Sequence, residues 1–126
     1  MIREKMLAAV VVLLSATGVN AQSNCDKPRN DFDGLYCLNK VYLEADRELN
    51  ENYKKLMAKL DDEGKATLRN TQRTWIEQRN ADCSRREDDR FFVNMRCATD
   101  TTIDRSNFLQ DRYRECVSSG CRNSKL

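Results

Sequence analysis

The chain has 126 residues, with 22 lysines and arginines against 20 aspartates and glutamates, and no histidine. So even a charge balance supplies no global field to gather nucleic acid or anionic lipid, and the missing imidazole excludes Ser-His-Asp and Cys-His catalysis. The length suits one domain and is too short for two.

The first residues, MIREKMLAAVVVLLSATGVNA, join a basic start at Arg3 and Lys5 to an apolar run from Met6 to Leu14 and a small-residue close at Val19-Asn20-Ala21. This pattern predicts an export signal over residues 1–21, cleaved to leave residues 22–126 as a single helical domain with a short cysteine-containing C-terminal tail. The apolar run is far shorter than the roughly 20 residues a bilayer core requires, so no stable membrane insertion is expected after cleavage. Gln22-Ser23-Asn24 lacks the small residue expected just before a lipidated cysteine. A soluble, unlipidated periplasmic protein is therefore predicted, with a net charge of +1 once Arg3, Glu4 and Lys5 are gone.

Cys25, Cys37, Cys83, Cys97, Cys116 and Cys121 all lie beyond the signal. An even number in a small exported chain predicts three disulfides. A zinc site is disfavoured, because there is no Cys-x-x-Cys knuckle and no histidine. Among the connectivities that six cysteines allow, the economical one is local: Cys25 with Cys37, Cys83 with Cys97, Cys116 with Cys121.

From Asp33 onward Leu35, Leu38, Tyr42, Ala45, Leu49, Tyr53, Leu56 and Leu60 recur at steps of three or four, which predicts one long amphipathic helix. Asp61, Asp62 and Gly64 mark its end, and Asp61 is placed to cap a second helix by accepting its orphan N–H groups. That helix would carry Leu68, Gln72, Trp75, Ile76, Arg79 and Cys83 inward. A polar break, SRREDDR, follows, and a third helix is expected from about Val93 to Cys116 with Ile103, Leu109, Tyr113 and Val117 as its apolar positions. Alternating β-branched runs bounded by turns are absent, so no strand is predicted. The expectation is an all-α fold: a small antiparallel bundle of about three helices stapled by disulfides.

Three spacings stand out. The first helix holds D-x-x-L-N-x-x-Y-x-x-L through Asp46, Leu49, Asn50, Tyr53 and Leu56. The second holds Q-x-x-W-x-x-x-R-x-x-x-C through Gln72, Trp75, Arg79 and Cys83. The third opens with C-x-x-x-x-T-x-x-R-x-x-x-L through Cys97, Thr102, Arg105 and Leu109. In this order, over roughly Cys25 to Leu109, they resemble the LprI-like lysozyme inhibitor family of small exported bacterial helical proteins. Thr101 departs from the larger apolar residue usual there, and the tail with Cys116 and Cys121 lies outside the shared pattern. The resemblance implies an envelope binding protein that inhibits lysozyme, or another muramidase, by occupying its substrate cleft.

The residues give these motifs a structural reading first: Trp75 fills the space between helices while Gln72 and Arg79 hydrogen-bond groups on the first helix such as Asp46 and Asn50. A buried arginine needs such a complement. The competing reading makes Tyr53, Trp75 and Arg79 an exposed recognition patch, since aromatics and arginine dominate protein-binding hot spots. The expected protrusion is the turn from Ser84 to Arg96, where Arg85, Arg86, Arg90, Phe91 and Phe92 are the candidate partner-binding residues. The alternative for the two phenylalanines is burial under a Cys83–Cys97 clamp.

Paired thiols leave no nucleophile, no glycine-rich phosphate loop is present, and Asp61-Asp62 and Asp88-Asp89 read as a helix cap and a solvated turn. No enzyme activity, catalytic residue, cofactor or metal is expected. The partner is expected to be a protein and not a nucleic acid, and the residues leave the oligomeric state open. The alternative to a lysozyme inhibitor is a non-inhibitory envelope structural or interaction protein, or an immunity protein against a cell-wall-degrading toxin.

Overall fold

The computed structural model describes residues 25–126. The predicted export signal lies outside them. The described chain folds as α1 (Asp31–Met57), α2 (Asp62–Cys83), a two-stranded hairpin of β1 (Ser84–Glu87) and β2 (Arg90–Val93), α3 (Met95–Ser119), and a 3₁₀ turn at Asn123–Lys125. The bundle is all-α with a small β-ribbon inserted between its second and third helices. No helix among the described residues is long and apolar enough to cross a membrane.

Each helix starts on a side chain that accepts an otherwise orphan N–H. Asn30 Oδ1 takes Asp33 N at 2.8 Å, Asp61 Oδ1 takes Gly64 N at 2.7 Å, and Asn94 Oδ1 takes Cys97 N at 3.0 Å. The four-residue connection at 58–61 turns α2 back antiparallel to α1. The hairpin turns the chain again, so α3 runs parallel to α1 and packs along it.

The core lies towards the α1–α2 turn. Leu49, Leu56, Leu60, Leu68 and Leu109 form it, with Leu56, Leu68 and Leu109 wholly excluded from solvent. Tyr53, Trp75, Phe108 and Tyr113 pack against its edge while remaining partly exposed. The tail closes this end: Leu126 packs on the same cluster, and Asn123 Nδ2 donates to Asp61 Oδ1 at 3.0 Å. A Cβ at Gly64 would lie 2.5 Å from Asn123 Oδ1, so the absent side chain is what lets the tail approach the start of α2.

Along the α1–α3 seam the buried face of α3 is small and polar. Ala98, Thr99, Thr102 and Ser106 are buried, whereas Ile103 and Val117, expected as core positions, are exposed. The threonines satisfy themselves: Thr99 Oγ1 donates to Met95 O and Thr102 Oγ1 to Ala98 O, both at 2.7 Å. Ser106 Oγ accepts from Asn52 Nδ2 of α1 at 2.9 Å. Small residues let the two backbones approach, and an apolar-periodicity reading passes over them. Leu35 and Ile76 are likewise exposed against expectation.

Three disulfides bridge Cys25 to Cys37, Cys83 to Cys97, and Cys116 to Cys121. The first ties the N-terminal arm to α1. The second clamps the base of the hairpin, and the third holds the tail to the end of α3.

Candidate functional site

The segment expected as a plain polar turn is a β-hairpin, in register Ser84 to Val93, Arg85 to Phe92, Arg86 to Phe91 and Glu87 to Arg90. Its strands are too short and too charged to show the alternation that marks a strand in sequence. An isolated two-stranded ribbon is marginal in water. Here its two ends are fixed by the Cys83–Cys97 disulfide and by Asn94 N donating to Cys83 O at 2.8 Å. Asp88 makes the tight reversal with a φ of 51°, a left-handed conformation that aspartate tolerates better than most residues.

Cross-strand pairs put like with complement. The Arg85 guanidinium lies 4.8 Å from the Phe92 ring centre and that of Arg86 lies 5.5 Å from Phe91, while Arg85 Nε also donates to Glu87 Oε1 at 2.7 Å. Phe92 is half-buried. Phe91 is 59% exposed, so the hairpin does not fold both rings under the disulfide clamp. Arg86 and Arg90 make no ion pair among the described residues. All five sequence-selected partner-binding residues therefore stand on one ribbon, with Phe91, Arg86 and Arg90 free to meet another surface.

Below the hairpin a groove runs between α1 and α2. Its upper part, about 370 Å³, is walled by Tyr42, Arg79, Phe91 and Val93. Its lower part, about 380 Å³, is walled by Asp46, Tyr53, Arg69, Arg73 and Trp75, and the two parts share Arg79. The family-pattern residues of α1 and α2 thus face one another, but not through the hydrogen bonds expected. Asn50 Nδ2 turns back to Asp46, reaching its backbone O at 2.9 Å and Oδ2 at 3.2 Å. Arg79 donates to its neighbour Asn80 Oδ1 and stacks over Trp75 at 5.0 Å. Helices α1 and α2 touch little above the core, and the side chains at this level span a cleft instead of pairing across it.

Arg105 is a half-buried arginine of the bundle. From α3 its Nε donates to Gln72 Oε1 at 2.9 Å and its Nη2 to Thr71 Oγ1 at 3.3 Å, and its plane covers Phe108 at 4.7 Å. No carboxylate neutralises it among the described residues, and burial lowers its pKa below the ordinary arginine value. Gln72 is therefore a link from α2 to α3, and Thr102 and Arg105 belong to the seams around α3.

At the other end of the molecule Asp61 and Glu115 organise the tail. The Gly64 N–H and the Asn123 amide hold the Asp61 carboxyl below its usual range. Glu115 accepts from Lys125 Nζ at 2.9 Å and sits near Arg112 and Arg122, which keeps its carboxyl low as well. This arrangement is a clasp, in which Asp61, read from the sequence as the cap of α2, also holds the tail. Among the described residues no group of side chains is placed to hold a metal ion.

The profile of the family described as "Lysozyme inhibitor LprI" matches residues 25–109, well over half of the chain. No curated protein and no solved structure matches the chain. The matched span ends in the middle of α3, so the second half of that helix, the Cys116–Cys121 bridge and the tail clasp lie beyond it.

Proposed function

Because the chain belongs to the LprI lysozyme inhibitor family, we propose that it is an exported, soluble periplasmic protein that blocks a lysozyme by inserting its 84–93 hairpin into the enzyme's cleft. Residues 1–21 act as the cleaved export signal, and residues 22–126 are the working domain. The protein acts by binding and carries out no catalysis of its own.

The observation that carries this reading is the hairpin: a narrow ribbon, clamped at its base by a disulfide, that presents an exposed aromatic ring and two guanidinium groups without ion pairs among the described residues. A muramidase cleft is shaped for an extended glycan and lined by carboxylates. A two-stranded ribbon matches that shape, Phe91 supplies an apolar anchor, and Arg86 or Arg90 supplies the charge-assisted hydrogen bonds a carboxylate accepts. The base clamp matters energetically, since a ribbon already held in its bound shape loses less conformational freedom on binding.

The test is a titration of c-type, g-type and i-type lysozymes with the oxidised protein, following lysis of a peptidoglycan suspension. Saturable inhibition of one type is the expected outcome. An unchanged lysis rate for all three at high micromolar protein would overturn the proposal, and an envelope partner of another kind would then be sought.

A further inference from the structure

We propose that the groove between α1 and α2 is a second recognition site, which takes an extended acidic segment of a partner protein with carboxylates at alternate residues. It rests on the reading of the chain as a protein-binding module, but not on which enzyme the hairpin enters.

Arg69, Arg73 and Arg79 all line the groove, and none of them makes an ion pair among the described residues. Arg86, Arg90, Arg96 and Arg105 are likewise without ion pairs among the described residues, but only here do three such arginines line one cavity. The one carboxylate lining the lower groove, Asp46, accepts from the neutral Asn50 amide on its own helix and keeps its charge, so three guanidinium groups face one carboxylate there. Glu77, one turn beyond Arg73, neither lines the groove nor pairs with it. The result is a local positive strip on a chain whose overall charge is close to balanced.

Spacing decides what the strip can read. Arg69 and Arg73 are one helical turn apart, about 6 Å along the axis, whereas Arg79 is turned about 120° round the helix from Arg73 and rests on Asn80 and Trp75. Successive same-face residues of an extended chain are separated by about 6.6 Å, close to the Arg69-to-Arg73 step, so acidic side chains two apart would each meet a guanidinium. Tyr53 and Trp75 supply apolar walls for the methylene stems between the charges.

The chain's single tryptophan sits in this groove, so its emission reports occupancy. The oxidised full-length protein is titrated with an eight-residue peptide of alternating glutamate and serine, and in parallel with the same peptide carrying glutamine for glutamate. Expected is a saturable change in Trp75 emission with the acidic peptide alone, weakened at least tenfold by added salt or by the Arg69→Glu/Arg73→Glu pair. Both substituted residues are exposed, so the variant should keep the wild-type melting curve; if it does not fold, Arg69→Gln/Arg73→Gln replaces it. No emission change up to millimolar peptide, or unchanged binding in the variant, would overturn the proposal. Displacement by an equal concentration of short polyphosphate would overturn it too, because the groove would then read any polyanion. The titration contains no lysozyme, so peptide binding without lysozyme inhibition counts against the hairpin reading alone, and inhibition without peptide binding counts against the groove alone.

Discussion

Two arginines in family-pattern positions should respond unequally to the same truncation. Arg105→Ala removes two charge-assisted hydrogen bonds, to Gln72 and Thr71, and strips the cover from Phe108. Hydrogen bonds to a charged group contribute roughly 1.5–3 kcal/mol each, and the stacked cation about 0.5–1 kcal/mol more. Against this stands the relief of burying a charge that has no carboxylate partner, which takes back several kcal/mol when burial is complete and less at half burial. A net loss of about 2 kcal/mol follows. For a domain of this size it lowers Tm by roughly 8–16 °C. Arg79→Ala loses only hydrogen bonds to the adjacent Asn80 and one stack on a half-buried indole, so its loss stays below about 1 kcal/mol and a few degrees. Thermal melting of both oxidised variants by circular dichroism measures the difference. Equal shifts, or a larger one for Arg79→Ala, would refute the assignment of Arg105 to the bundle's support and Arg79 to its open groove.

Replacing Cys83 and Cys97 together by serine opens a loop closed over 14 residues, which should remove about 3 kcal/mol by the loop-entropy estimate; amide exchange should rise first in residues 84–93, before the leucine core opens. Leu109→Ala, at a wholly buried position, should cost about 2–5 kcal/mol, read as a lower midpoint in urea at an unchanged slope. Asp61 and Glu115 have folded-state pKa values below their unfolded ones, so the stability they contribute is complete above the ordinary carboxylate range and is lost as pH falls through the depressed values. Asn123→Ala, which removes one cause of the Asp61 shift, should flatten that acid limb in a pH series of urea melts.

The three-helix architecture was legible because its signals are local. The apolar stripe of α1 and the Asp61 cap before Gly64 are both in place, and the ends of α3 fall within three residues of expectation. What escaped is tertiary. The α1–α3 seam is built on threonines and a serine that hide their own polarity, so hydropathy does not mark Thr99, Thr102 or Ser106 as core. The hairpin escaped because its strands are held by a covalent clamp and by arginine–phenylalanine pairs across the ladder, neither of which leaves an alternating pattern. Its candidate residues were nonetheless visible as an arginine-rich, phenylalanine-bearing break between helices. At the family pattern the residues were legible and their partners were not: Gln72 reaches α3 instead of α1, and Arg79 folds over Trp75 instead of crossing to Asp46.

The central claim is that the hairpin is the surface that inhibits. The most direct measurement compares the wild-type protein with a Phe91→Ala/Arg86→Ala/Arg90→Ala variant in titrations of the lysozyme type that responds. All three side chains are exposed and the Cys83–Cys97 clamp outlasts the lost Arg86–Phe91 pair, so the variant should melt within a few degrees of the wild type while its inhibition constant rises at least a hundredfold, the effect of losing a hot-spot anchor and its charged neighbours. A folded variant that inhibits as tightly as the wild type would contradict the account.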